Sequence, residues 1–71
     1  MVFFMTRLTL IDNKKAYVDG YKSIISIEDN EIRILCRDRV LIIQGEKLRI
    51  ASFTGIEMAV EGKFHDISWS K

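Results

Sequence analysis

Proline is absent from this chain, cysteine, histidine and tryptophan occur once each, and the net charge is only +1. Each shortage removes a class of protein. One cysteine, Cys36, cannot close a disulfide within the chain. Cys36 and the single histidine, His65, cannot by themselves fill a closed tetrahedral zinc site. With 11 Lys plus Arg against 10 Asp plus Glu, the chain has little of the phosphate attraction that dominates nucleic-acid affinity. Near neutrality also gives weak colloidal protection, which suits a protein that finds a partner. There is no GxGxxG, P-loop, CxxC or HExxH motif, and the carboxylates form no DxDxDG loop.

Shortness is a further constraint. A chain of 71 residues makes one domain, 1–71, and buries only ~60% of the surface that its unfolded form exposes. A core of this size supplies about 3–5 kcal/mol, so small domains usually add a staple. Disulfide and zinc being excluded, self-association is the remaining staple, and a homo-oligomer is expected. The apolar stretch Met1-Val2-Phe3-Phe4-Met5 is too short for a signal peptide (~7–15 apolar residues after a basic start) or a membrane span (~20). The chain is therefore expected to be cytoplasmic or peripheral to a membrane, with residues 1–6 disordered or forming an added edge strand. A lone cysteine fits a reducing compartment.

What the chain has in abundance is short Ile-, Val- and Leu-rich runs between turn signals. The signals are Asp12-Asn13, Asp19-Gly20, Asp29-Asn30, Asp38-Arg39, Gly45-Glu46, Thr54-Gly55 and Glu61-Gly62. In Glu31–Arg37 the residues Ile32, Ile34 and Cys36 share one parity and Glu31, Arg33 and Arg37 the other. That is a strand with one buried and one wet face. Val40-Leu41-Ile42-Ile43 is apolar on both parities and reads as a central strand or a subunit contact. Strands are expected over Leu8–Ile11, Lys15–Val18, Lys22–Glu28, Glu31–Arg37, Val40–Gln44, Lys47–Ser52, Glu57–Glu61 and Lys63–Trp69.

Connections of about two to four residues permit antiparallel hairpins and forbid parallel crossovers. Around Phe53–Met58 at most a single helical turn fits. The expected fold is all-β: a small antiparallel meander of about seven to eight short strands, forming a roll, barrel or two-layer sandwich. Without proline its edges must be guarded by charge, from Lys14, Lys15, Lys22, Arg37 and Lys63, or by pairing with another strand.

Candidate chemical sites are few. His65 titrates near neutrality unperturbed, but its neighbour Asp66 points to the opposite strand face, and no serine stands in a nucleophile-elbow setting. Acid–base work by His65 would require a carboxylate brought from elsewhere. Cys36 on an apolar parity reads as a small core residue, with Arg37 turned away from it. Tyr17, Tyr21, Phe53, Phe64 and Trp69 could stack bases in a small single-strand-binding barrel. They are not interleaved with basic residues on one strand face, and Trp69 reads more simply as a plug pinning the last strand. Gly45 is expected at a positive φ or a close backbone approach. No catalytic, cofactor-binding or metal-ligating residues are assigned, and the chain is read as a non-enzyme.

The order Ile32-Arg33-Ile34, then Val40-x-Ile42-x-x-Gly45-x-x-Leu48-x-Ile50, then Glu57-Met58-x-Val60-x-Gly62-x-x-x-x-Ile67-x-Trp69 resembles the YabP/YqfC family of sporulation proteins, from Leu10 to Trp69. Ser26–Ile32 also looks like that family's approach to its first clear strand. The resemblance implies a small protein of the mother-cell sporulation programme, without known catalytic residues or cofactor. It also implies action with a membrane-protein partner in building the spore's outer layers, in the mother-cell cytoplasm or peripheral to the forespore membrane. The expected function is thus a non-enzymatic protein-interaction module of endospore formation. The alternative is a small β-barrel binding single-stranded nucleic acid.

Overall fold

The computed structural model describes residues 7–37, 39–55 and 57–70. The expectations for residues 1–6 lie outside these, as does Asp38 of the Asp38-Arg39 turn signal. The described residues form six strands: β1 (Arg7–Ile11), β2 (Lys15–Asp19), β3 (Ser23–Ile27), β4 (Glu31–Leu35), β5 (Val40–Phe53) and β6 (Glu57–Ser70). All neighbouring pairs are antiparallel. They form one sheet in the order β1-β2-β6-β5-β4-β3. The all-β expectation holds, and there is no helix among the described residues.

The count of strands and their path correct the sequence reading. Val40–Gln44 and Lys47–Ser52 are one strand, β5, and Glu57–Glu61 and Lys63–Trp69 are one strand, β6. Gly45 and Gly62 mark irregularities within these long strands rather than turns: the β5–β6 register slips at Gln44/Gly45, Glu46/Arg49 and Ile50/Ser52. Nor is the whole sheet a meander, because only β3 to β6 follow one another, while the β1–β2 hairpin joins at β6. The sheet does not close into a barrel, since β1 and β3 each have a single neighbour.

The long β5–β6 ribbon bends back on itself. Only Gly20, Tyr21 and Lys22 join β2 to β3, yet three strands stand between them in the sheet. Asp19 lies opposite Glu57 at the start of β6, whereas Ser23 is aligned, through Leu35 and Val40, with Ser70 at its end. In a flat sheet those places would be roughly 40 Å apart along the strand, but the chain from Asp19 to Ser23 reaches at most about 14 Å. The two ends of the ribbon must therefore come together. Tyr21 ties them, its hydroxyl donating to the Thr54 carbonyl at 2.6 Å beside the β5–β6 turn. The adjacent Lys22 N–H donates to the Leu35 carbonyl at 2.8 Å.

Glycine permits the bend. A Cβ on Gly45 would run into the Lys63 carbonyl oxygen and lie 2.9 Å from that carbonyl carbon and 3.1 Å from Phe64 Cα. Gly45 is thus a close-approach glycine, and it is not among the residues of positive φ. Gly62 has a φ of 148° and faces Leu48 and the Lys47 carbonyl, and Lys47 itself is left-handed at 52°. Two hairpin turns cap the bend with their carbonyls. Asn30 and Asp29 accept from the N–H groups of Gly45 and Leu48 at 3.0 and 2.8 Å, and Lys14 and Asn13 from those of Gly62 and Phe64 at 3.1 and 2.8 Å.

One core results, into which both halves point. Val18, Ile32, Ile34, Leu41, Met58 and Val60 are inaccessible and belong to a single cluster. The alternation read in Glu31–Arg37 is observed, with Ile32 and Ile34 buried and Arg33 exposed, and Cys36 follows them into the core at 1% exposure. Val40–Ile43 is part of a central strand, as its two apolar parities imply: Leu41 and Ile43 are buried and Val40 and Ile42 half-buried.

Candidate functional site

The bend gathers cations that are far apart in the chain. Lys14 from the β1–β2 turn, Lys15 from β2, Lys47 and Arg49 from β5, and Lys63 from β6 line one open groove of about 820 Å³. Gly62 and Asn13 contribute to its wall, where the β1–β2 turn docks. Its carboxylates are Glu46 and Glu61. Arg49 Nη2 donates to Glu61 at 2.7 Å, and Lys15 Nζ lies 3.4 Å from the same carboxylate. Hydrogen bonds from Arg49, and then from Lys15, hold the Glu61 carboxyl below the usual carboxylate range. Lys15 is raised above the usual lysine value by Tyr17 first and by Glu61 next, its ammonium lying 5.6 Å from the Tyr17 ring centroid.

Nothing local in the sequence announces this groove. Lys14, Lys15 and Lys63, read as guards of the sheet edges, instead meet at the middle of the sheet. Lys15 and Lys63 stand on the interior strands β2 and β6. Of the five expected guards Lys22 adjoins the edge strand β3 and Lys14 lies in the turn that follows the edge strand β1, while Arg37 follows the interior strand β4. No aromatic residue lines the groove itself among the described residues; Tyr17, beneath Lys15 on the same face of β2, is a single ring beside it, not the row of rings that single-strand binding calls for. Trp69 corrects another expectation. It is 37% exposed, pairs with Leu41 at the rim of the core, and lies beneath the Arg39 guanidinium, 4.3 Å from its ring centroid.

His65 does find a carboxylate, though not Asp66. The register slip that leaves His65 out of the ladder between Phe64 and Asp66 lets its Nε2 share a hydrogen bond with Glu46 at 2.8 Å. Both side chains are more than half exposed. They adjoin a shallow hollow of about 360 Å³ lined by Glu28, Asn30, Glu31 and Gln44, with no hydroxyl or thiol side chain among the described residues. Water screens such a pair. Glu31 is held below the usual carboxylate range by hydrogen bonds from Gln44 and then Arg33, at 3.1 and 2.8 Å. Cys36 donates its S–H to the Ile34 carbonyl at 3.8 Å inside the core, away from any water-borne reactant. Among the described residues no three His, Cys, Asp or Glu side chains converge as metal ligands would.

The remaining surface features are the edges. On β1, Leu10 and Ile11 are about half exposed, and on β3, Ile25 and Ile27 are the same. The β1–β2 pairing is regular over all five residues, whereas β3 slips against β4 between Ile24 and Ser26.

Neither the curated proteins nor the solved structures contain a match to this chain. Residues 5–71 match the YabP family, a span that takes in all six strands and both bend glycines. The chain belongs to the YabP family.

Proposed function

We propose that this chain is a non-enzymatic protein-interaction module acting in bacterial endospore formation, together with a membrane-protein partner, and that it self-associates through the edge strand β3. Membership of the YabP family supports the sporulation setting and, with it, a place in the mother-cell cytoplasm or at the forespore membrane. The openness of the His65–Glu46 pair to water supports the non-enzymatic reading.

The carrying observation is the composition of β3 and its flanks. Ser23-Ile24-Ile25-Ser26-Ile27 has no charge, lies at an open edge, and is bounded by Lys22 and Glu28. Antiparallel pairing of two copies about a two-fold axis through Ile25 sets Ile25 against its counterpart. It also sets Lys22 of each copy opposite Glu28 of the other, so the register satisfies both charges and closes at two chains. The edge carries no charge to deter pairing, and its one protective device is the bulge between Ile24 and Ser26.

Light scattering coupled to size exclusion tests this over a range of concentrations. The expected species is a dimer that becomes a monomer on Ile25→Lys, with unchanged far-ultraviolet circular dichroism. A wild-type chain that stays monomeric at the highest concentration refutes self-association through β3.

A further inference from the structure

We infer that the basic groove at the bend is a binding site for an acidic peptide segment of a protein partner. The site is separate from the β3 edge and does not depend on edge pairing.

Its charge is unbalanced. Five cations line the groove against two carboxylates; Glu61 is paired with Arg49 and Lys15, and Glu46 shares a hydrogen bond with His65. Lys14, Lys47 and Lys63 form no ion pair among the described residues. Lys14, Lys47 and Lys63 line one concavity, where their like charges add to a positive potential that a ligand carrying several negative charges would meet. The whole chain has a net charge of only +1, so the excess is a local arrangement rather than a general basicity.

The backbone supports the same assignment. Lys47 sits at a φ of 52°, a conformation that glycine or asparagine adopts more readily than lysine. Strained positions of this sort cluster where a side chain has work to do. Here the strain presents a cation at the groove, next to the turn that brings in Lys14.

The shape and lining select the ligand class. A concave groove of about 820 Å³ has the size of sites that enclose a short chain or small molecule, whereas a bilayer requires a flat or protruding face. Successive stacked bases require several rings, and Tyr17, beneath Lys15, is a single ring beside a groove whose own lining has none among the described residues. Four lysines and Arg49 pair with carboxylate and phosphate alike, so the choice of peptide rests on the shape of the groove and on its lack of a row of rings.

Fluorescence anisotropy with labelled octaglutamate, on the full 71-residue chain, tests the site. Saturable binding that weakens as salt rises is expected. The triple variant Lys14→Gln, Lys47→Asn, Lys63→Gln should bind about tenfold more weakly, while Ile25→Lys should bind as the wild type does. Circular dichroism establishes that the triple variant is folded; all three side chains lie at the surface, and asparagine suits the backbone at position 47. Lack of saturable octaglutamate binding overturns the inference, as does equal binding by the triple variant. So does tighter binding of oligothymidylate of equal charge or of phosphatidylserine vesicles, which would reassign the groove to nucleic acid or to membrane.

Discussion

The β1–β2 hairpin and the β3–β4 hairpin dock on the bent β5–β6 ribbon in the same manner, each through two turn carbonyls that accept from ribbon N–H groups. Their joints are built differently. At the β3–β4 joint, Gly45 is pressed against the Lys63 main chain, where nothing can yield. At the β1–β2 joint, Gly62 combines a φ of 148° with main-chain contacts that are close but less severe: a Cβ there would lie 2.9 Å from both Leu48 Cα and the Lys47 carbonyl oxygen, and 2.8 Å from the movable Leu48 Cδ2. The outer strands differ as well: β1 pairs without interruption and β3 is bulged. The same docking plan thus accommodates one joint set by steric exclusion alone and another set by a weaker exclusion together with a positive φ.

The largest expected effect comes from breaking the tighter joint. Gly45→Ala should cost about 3 kcal/mol or more, because a new Cβ collides with main chain rather than with a side chain. That approaches the whole stability of a core this small, about 3–5 kcal/mol, so the variant should lack a cooperative urea transition by circular dichroism. Gly62→Ala should cost less, about 2 kcal/mol, from a positive φ, a Leu48 rotamer change and main-chain contacts at 2.9 Å that are looser than the collision at Gly45. The opposite ranking in urea midpoints would show that the β1–β2 joint is the stiffer of the two.

Next in size is the contrast between the edges. Ile25→Lys on β3 should raise the dimer dissociation constant about tenfold or more by placing a charge at the centre of the pairing, whereas Leu10→Lys on β1 should leave it unchanged. Flush edges generally invite pairing more than bulged ones do, which makes this pair of variants a sharp comparison. Dissociation by Leu10→Lys alone would move the interface to β1.

These joints also explain what could be read from the sequence. The alternation in Glu31–Arg37 placed Ile32, Ile34 and Cys36 in the core correctly, because period two depends only on local geometry. The turns at Asp12-Asn13, Asp19-Gly20, Asp29-Asn30 and Thr54-Gly55 were legible for the same reason. Gly45 and Gly62 were not: a glycine in a turn and one in a bent strand look alike locally, and Lys63, eighteen positions from Gly45, decides between them. The groove was invisible, since Lys14, Lys47 and Lys63 share no strand and meet only because the ribbon bends. His65 could be seen to miss Asp66, but its meeting with Glu46 depends on a register slip that leaves no local mark.

Each half also carries one carboxylate whose ionised form is favoured by folding: Glu61 in the first and Glu31 in the second. The folded-state pKa lies below the unfolded one in both cases. The unfolded chain therefore binds more protons between the two values, and stability rises with pH there. The contribution is fully present above the ordinary carboxylate range and is lost as pH falls through the lowered values. Glu61→Gln and Glu31→Gln should each flatten the acid limb of a stability–pH profile. The flattening at Glu61 should shrink in high salt, because two cations sustain it. At Glu31 the leading cause is the neutral Gln44 amide, and the effect should persist. Equal salt sensitivity would contradict this division.

The smallest expected effect concerns Lys47, where the two joints meet. Its left-handed φ of 52° costs a β-carbon residue about 1–2 kcal/mol, and asparagine recovers part of that through its local hydrogen bonding. Lys47→Asn should therefore stabilise the chain by about 0.5 kcal/mol while weakening octaglutamate binding. Lys63→Gln, in an ordinary strand conformation two positions before His65, should weaken binding without the gain in stability. Opposite signs for stability and binding at one residue, and not at the other, are what a strained cation held at a binding groove requires. If Lys47→Asn leaves both quantities unchanged, the left-handed lysine is a passive consequence of the bend, and the groove has lost the backbone half of its support.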